Sequence, residues 1–268
     1  AGRQYHIGLA PGELAETILL CGDPKRAGLV AERFDKVELE KKEREYRTFT
    51  GTYQGMRLSV MATGIGTDNT EIAVVEISQC TKNPTLIRIG SCGALQPEIN
   101  LGDLVISSGA VRMESTSTWF VTEGYPAVAH HEVVLALLES ASRQKFPWHL
   151  GLTATACGFY GAQGRTVPGF PPRRPEIVSE LERMGVKNFE MEASCLFTLA
   201  TLKGFRAGAV CAVYAARAAN QFVTSELKEK AEHRCIETGL AAALILGEMD
   251  RARKKSPCWL PSHGLKKE

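Results

Sequence analysis

Thr17-Ile18-Leu19-Leu20-Cys21 is a short apolar run that ends on Gly22-Asp23-Pro24-Lys25-Arg26. Such a run, closed by a glycine, reads as a buried strand. Asp23 is a good N-cap and Pro24 a good first helical residue, so Lys25 to Phe34 reads as a helix. A buried strand that feeds directly into a helix is the building unit of an α/β sheet. The unit recurs along the chain. Further strands are predicted over Met56 to Thr63, Thr85 to Ile89, Asp103 to Arg112, Trp148 to Ala156, Val186 to Glu190 and Arg206 to Tyr214. Helices are predicted over Thr67 to Cys80, His131 to Ala141, Ile177 to Met184 and Ala193 to Leu202. Ser225 to Met249 reads as a long helix, because Leu227, Ala231, Cys235, Ala242, Ile245 and Met249 fall on or near one stripe. Val37 to Thr52 is charged and partly alternating, which suggests exposed antiparallel strands. Prolines 168, 171, 172 and 175 mark a loop. The fold class predicted is α/β: a single domain, residues 1–249, with a central mixed β-sheet flanked by helices. Residues 250–268 read as a basic tail, expected to be a disordered extension.

The chain has 268 residues, 44% hydrophobic and 23% charged, which suits one large folded domain and excludes wholesale disorder. A formal net charge of +2 is too balanced to argue for a nucleic-acid surface, and the excess comes from the last eighteen residues. The eight cysteines form no CxxC pair and are scattered among apolar neighbours, so they read as reduced, buried thiols. Glu13 and Glu16 interrupt the opening segment, and Leu240 to Leu246 is far too short to span a bilayer. A soluble, cytoplasmic protein is expected.

Familiar signatures are absent. There is no P-loop and no GxSxG elbow. Gly64-Ile65-Gly66 lacks a third glycine at the dinucleotide spacing, where Asn69 stands. His131-Glu132 begins like a zinc-protease helix, but Leu135 occupies the place of the second histidine.

What remains is a set of strand ends rich in glycine, arginine and small hydroxyls. Gly22-Asp23-Pro24-Lys25-Arg26 is one and Arg88-Ile89-Gly90-Ser91-Cys92-Gly93 another. Ligands of open α/β sheets gather at such ends, where backbone N–H groups are unpaired, and a guanidinium fork suits phosphate. Taken singly, each segment reads equally well as a turn with a surface charge. Arg88 is harder to dismiss, because it interrupts the apolar run Leu86-Ile87-Arg88-Ile89, where an unpaired charge is costly. Glu190 and Glu192 share one face if the strand reaches Glu192, a pair of acceptors suited to the 2′,3′-diol of a ribose. The alternative is a helix start, where acids complement the dipole. In the loop from Phe159 to Arg165, Gln163 donates and accepts while Arg165 only donates. Together they suit the N–H and carbonyl edge of uracil, with Phe159 stacking on the ring. An ordinary polar loop is the other reading.

In register, these segments resemble the uridine phosphorylases of the hexameric nucleoside phosphorylase superfamily. The similarity runs from Tyr5-His6-Ile7-Gly8-Leu9 almost to the end of the last helix and adds Arg44-Glu45-Tyr46, Thr63-Gly64-Ile65-Gly66 and Arg217. The resemblance implies reversible phosphorolysis of uridine to uracil and ribose 1-phosphate, with inorganic phosphate as co-substrate and no cofactor required. It implies that Gly22, Arg26, Arg88 and Ser91 hold phosphate, joined by Arg44 from a neighbouring subunit. Glu190, Met191 and Glu192 would hold the ribose, with the neighbour's His6 at the 5′-hydroxyl. Phe159, Gln163 and Arg165 would hold the base, with Tyr214 beside it and Arg217 at the O4 side. Arg88, Gln163 and Arg165 are the implied catalytic set. A homohexamer built from dimers with shared sites is implied, with a potassium ion at the dimer interface near Glu45, Ile65 and Asn69.

This chain departs from the family pattern at several positions. Tyr214 replaces an aliphatic residue, Asn69 a serine, and Gly161-Ala162 and Gly164 replace a Pro-Gly and a glutamate. Ser91-Cys92 replaces two threonines but keeps one hydroxyl. Ala216 stands where related purine phosphorylases carry the aspartate that protonates the purine, which weighs against purine substrates. A nucleosidase of the same fold would not need Arg26 and Arg88. A non-enzymatic nucleoside-binding protein is the remaining alternative.

Overall fold

The computed structural model describes residues 2–264. In chain order the elements are β1 (Thr17–Cys21), α1 (Pro24–Ala31), β2 (Lys36–Glu43), β3 (Tyr46–Tyr53), β4 (Met56–Ala62) and α2 (Thr67–Cys80). They continue with β5 (Thr85–Ala94), β6 (Leu104–Met113), β7 (Ala127–Val128), α3 (His131–Arg143), β8 (Trp148–Ala156) and α4 (Ile177–Arg183). The last are β9 (Asn188–Glu190), α5 (Ala193–Lys203), β10 (Arg206–Ala216), β11 (Gln221–Phe222) and α6 (Ser225–Arg253). The α/β class with one mixed sheet is as expected.

All the strands belong to one sheet, ordered β11-β10-β6-β8-β9-β5-β1-β4-β3-β2, with β7 against β6. Because β5 also pairs with β10, the strands β5, β10, β6, β8 and β9 close on themselves. The parallel pairs are β1–β4, β1–β5, β5–β10, β6–β8 and β8–β9. Alternation along β1 sorts its side chains onto two cores. Leu19 joins Ile87, Val210, Val30, Leu137 and Leu240, packed beneath α1, α3 and α6. Ile18 and Leu20 join Leu86, Ile77 and Phe197, beneath α2 and α5. Burial on both faces explains the unbroken apolar runs of the parallel strands.

Four expectations are corrected. The Val37–Thr52 hairpin is exposed only along β2; β3 is largely buried, with Tyr46, Thr48, Phe49, Thr50 and Gly51 inside. The glycine-rich segment after Ile89 is no turn, since β5 runs on to Ala94 between β10 and β9. The strand before Glu192 stops at Glu190, so period-two geometry does not align the two carboxylates. Helix α6 continues past Met249 to Arg253, and the segment after it is docked, with Trp259 packed against the first core and its backbone N–H donating to the Glu132 carboxylate at 2.7 Å. Residues 265–268 of the expected tail lie outside the described residues.

All eight cysteines are free thiols; six are buried, but Cys157 is exposed and Cys258 half-buried. Among the described residues no helix is long and apolar enough to cross a membrane.

Candidate active site

Three parallel strands, β1, β5 and β10, end at the same edge of the sheet, and β9 reaches that edge from the other direction. Their ends frame a cavity of about 600 Å3. Crevices at the carboxyl ends of parallel strands are where open α/β sheets bind ligands.

At one wall the turn Gly22-Asp23-Pro24 starts α1. The Asp23 carboxylate accepts from the Lys25 N–H at 2.8 Å, and Pro24 opens the helix. That cap fixes the first turn so that Arg26 points back into the molecule, 5% exposed. Its Nε donates to Glu232 at 2.8 Å and its amino groups to the Ile89 carbonyl and the Tyr214 hydroxyl, both at 3.3 Å.

Arg88 enters from β5 and is also buried. Its Nε donates to Glu190 at 2.9 Å and an amino group pairs with Glu192. Burial opposes the guanidinium charge, but Glu192 and then Glu190 outweigh it and hold the Arg88 proton more tightly than usual. Gly90 makes this placement possible: a Cβ there would stand 2.8 Å from Arg88 Nη2.

The Glu190 carboxylate also accepts from the Glu192 and Ala193 N–H groups, each at 2.9 Å, and from Thr155 Oγ1 at 2.5 Å. It therefore caps the first turn of α5, where a negative charge complements the helix dipole. Glu192 accepts from the Gly66 N–H at 2.7 Å. Burial pushes the Glu192 carboxyl up, Arg88 pulls it down, and Glu190 adds to the rise. Thus the helix-start reading of these acids and their convergence on one cavity both hold.

The opposite wall is the loop after β8. Gln163 is 4% exposed. Arg217 anchors it twice, donating to the Gln163 backbone carbonyl at 2.7 Å and to its side-chain Oε1 at 3.1 Å. With Oε1 engaged, the amide NH2 of Gln163 remains free to donate. Arg165 stacks on Phe159, guanidinium carbon to ring centroid 4.1 Å, and lies 5.6 Å from the Phe222 ring. Burial lowers the Arg165 pKa, and burial together with Arg165 lowers that of Arg217 to about 10. Both stay charged at neutral pH, so this wall is a cationic, donor-rich surface without a carboxylate partner among the described residues.

A family model described as "Phosphorylase superfamily" matches residues 16–246. The chain belongs to this superfamily. It is 44% identical to a uridine phosphorylase of Thermococcus kodakarensis, over 95% of this chain and 91% of that protein. It is 34% identical to the uridine phosphorylase of Salmonella typhimurium, over 89% of this chain and 96% of that protein. The crystal structure of the uridine phosphorylase from Vibrio fischeri superposes with a TM-score of 0.82 at 28% identity, covering 91% of this chain and 98% of that one.

Within this superfamily fold, Gly22, Arg26, Arg88, Ser91, Glu190, Met191, Glu192, Phe159, Gln163, Arg165 and Tyr214 all line the one cavity. Arg217 borders an adjoining hollow and reaches the site through Gln163. His6 and Arg44 do not line the cavity. His6 Nδ1 meets Glu76 at 2.7 Å, and Arg44 donates to the Tyr5 hydroxyl at 2.9 Å beside a separate hollow that shares Pro24 with the cavity. Glu45 and Asn69 approach each other over Gly64, whose missing Cβ would meet Asn69 Nδ2 at 2.5 Å and Glu45 Cγ at 3.4 Å. Ile65 is exposed at the cavity edge. Among the described residues, no three His, Cys, Asp or Glu side chains cluster as metal ligands.

Sequence reasoning missed Phe222 and Lys228, which line the cavity, and Glu232, which pairs with Arg26. Phe222, the one aromatic between Tyr214 and the last helix, was a usable signal. Lys228 and Glu232 carry none, because charged residues on the first turns of a helix are ordinary.

Proposed function

We propose that this protein catalyses the reversible phosphorolysis of uridine, with deoxyuridine and thymidine as candidate variants of the substrate, giving uracil and the pentose 1-phosphate. The observation that carries the reading is the polarity of the cavity. Two buried arginines stand at one end and the donor-rich wall of Gln163 and Arg165 at the other, with the Glu190-Met191-Glu192 segment between them. The uridine phosphorylases reported above, similar over nearly the whole chain, support the same assignment.

In this reading Gly22, Arg26, Arg88 and Ser91 hold phosphate under the sugar. Glu192 accepts from the ribose hydroxyls beside Met191, Glu190 holds Arg88 and the start of α5 in place behind it, and Phe159 packs on the base. As the bond between C1′ and the uracil nitrogen breaks, its electron pair leaves with the base and positive charge builds on the sugar. A phosphate oxygen then bonds to C1′. The Gln163 NH2 and Arg165 face the negative charge that grows on the base. They speed the step to the extent that they bind the anion better than the neutral ring. Arg217 holds Gln163 in the donating orientation. No covalent enzyme intermediate or redox cofactor is called for.

The reading extends to assembly. His6 and Arg44 lie away from their own chain's cavity, so they serve a site only across an interface. We infer a homo-oligomer, a hexamer built from dimers with shared sites, a potassium ion near Glu45, Ile65 and Asn69 at the dimer interface, and a cytoplasmic role in pyrimidine salvage. Ala216 offers no carboxylate for a purine.

The test is a panel of uridine, deoxyuridine, thymidine and inosine, each with and without phosphate, read by free-base release. Phosphate-dependent release of uracil is expected. Release without phosphate would make the protein a nucleosidase, and faster cleavage of inosine a purine phosphorylase. Binding of uridine and phosphate with no release would make it a non-catalytic nucleoside binder.

A further inference from the structure

Tyr214 stands where an aliphatic residue would line the base, yet its hydroxyl lies at the other end of the cavity. Strand β10 pairs with β5 through a bulge: Val213 faces Cys92, Ala215 faces Gly93, and Tyr214 is the residue left over. A bulge re-aims the extra side chain. Here it sends the phenol toward Arg26, whose amino group donates to Tyr214 Oη at 3.3 Å.

The accounting at that oxygen is incomplete. A phenol has one proton to donate and accepts through its lone pairs. Tyr214 accepts from Arg26, and among the described residues its own proton meets no acceptor. A half-buried phenol ordinarily finds one. Burial pushes its pKa up to about 12, so the proton stays on at neutral pH.

Lys228 completes the arrangement. It lines the same cavity from the start of α6, its Nζ 5.7 Å from the Tyr214 ring centroid. Among the described residues no carboxylate lies within ion-pair distance of it. Arg26 is paired with Glu232, and Arg88 with Glu190 and Glu192, so much of the guanidinium charge at this end is already balanced. The unspent phenol proton and the unpaired ammonium are what the wall offers in addition to those arginines.

We propose that Tyr214 and Lys228 form a third arm of the phosphate site: Tyr214 donates its hydroxyl proton to a phosphate oxygen beside Arg26, and Lys228 supplies unbalanced positive charge at the rim. The proposal rests on the phosphorolytic reading above and changes what Tyr214 serves, from the base to the anion. A phenol in place of an alkyl group makes phosphate binding tighter and leaves the base wall to Phe159, Gln163 and Arg165.

The experiment is Tyr214→Phe, which keeps the ring and removes only the hydroxyl. Titration of inorganic phosphate into the protein by calorimetry is paired with steady-state kinetics on uridine. Loss of one hydrogen bond to a charged ligand predicts a phosphate Kd and KM raised about tenfold, with the uridine KM within twofold. Lys228→Met is expected to raise the phosphate KM about threefold, an effect that fades in high salt as for other exposed charges. A phosphate Kd within twofold of wild type in Tyr214→Phe overturns the proposal. So does a raised uridine KM with the phosphate KM unmoved, which returns Tyr214 to the base. If the wild type fails to cleave uridine but Tyr214→Phe still weakens phosphate binding tenfold, the anion arm stands and the uridine reading falls.

Discussion

Arg88 and Glu190 form an ion pair sealed from solvent, Nε to carboxylate 2.9 Å, with side chains 7% and 0% exposed. The two residues come from strands that pair antiparallel, β5 and β9, and the pair sits where both meet the first turn of α5. The Glu190 carboxylate is thereby committed three ways: to Arg88, to two helix N–H groups and to Thr155. One buried charge pair thus ties the arginine wall of the cavity to the Glu190-Met191-Glu192 segment.

Replacing Arg88 with alanine removes a proposed phosphate ligand and strands two buried carboxylates. Deleting one charge stabiliser predicts a loss of about 10²–10³ in turnover. Removing one partner of a buried pair predicts a cost of about 3–5 kcal/mol in folding stability. Urea denaturation separates the two effects. Adding Glu192→Gln to Arg88→Ala is expected to recover part of the stability and none of the turnover, because it relieves the repulsion between glutamates without restoring the anion site. A single variant as stable as wild type would show that Arg88 does not hold the acids together.

Arg217→Met tests the proposed base wall. Gln163 would lose both hydrogen bonds that orient it, and its amide would be free to rotate. Two lost bonds to a charged donor predict kcat/KM for uridine down roughly 10- to 100-fold, with the phosphate KM within twofold. Steady-state kinetics with each substrate varied in turn makes the measurement. An equal rise in both KM values would mean that the whole sheet edge had shifted.

The docked C-terminal segment should respond to acid. Burial alone would raise the Glu132 carboxyl, but the Trp259 backbone N–H and the Arg206 guanidinium outweigh it and hold it below its ordinary value. A carboxyl lowered in the folded state contributes stability that is fully present above its unfolded value, near 4.5, and is lost as pH falls through the folded one. Trp259 is therefore expected to move into solvent as pH drops below that value. The readout is a red shift in tryptophan fluorescence with Trp119 and Trp148 replaced by phenylalanine. In Glu132→Gln that acid step should vanish.

The strands and helices that alternate in sequence were legible because burial on both faces leaves unbroken apolar runs. What misled the reading were residues whose role is to make room. Gly90 and Gly93 suggested a turn, but they stay in the sheet because their missing side chains admit the Arg88 guanidinium and the Arg217 stem, the latter within 3.1 Å of the absent Cβ at Gly93. Glu190 and Glu192 suggested a longer strand, whereas Glu190 ends it by capping α5. Tyr214 gave its substitution away in the sequence, but its direction depends on a bulge that no local pattern announces. The cavity-lining residues came from motifs in register, while Lys228 and Glu232 on α6 carried no signal because their neighbours in space are distant in sequence.

Whether subunits share sites can be tested by mixing. Arg44 lies outside its own cavity, beside Tyr5, while Arg88 is inside it. If a neighbour's Arg44 completes each site, Arg44→Ala and Arg88→Ala damage the same site from opposite chains, and each variant alone is nearly inactive. In a mixed dimer one site then carries both defects and the other carries neither. Random reassembly of equal amounts through a two-fold interface restores roughly a quarter of all sites. Co-refolding the two variants and measuring uracil release against a wild-type standard gives the number. A mixture no more active than the average of its parts would mean that each chain builds its site alone, and the placement of Arg44 would then need a structural explanation within β2 and β3.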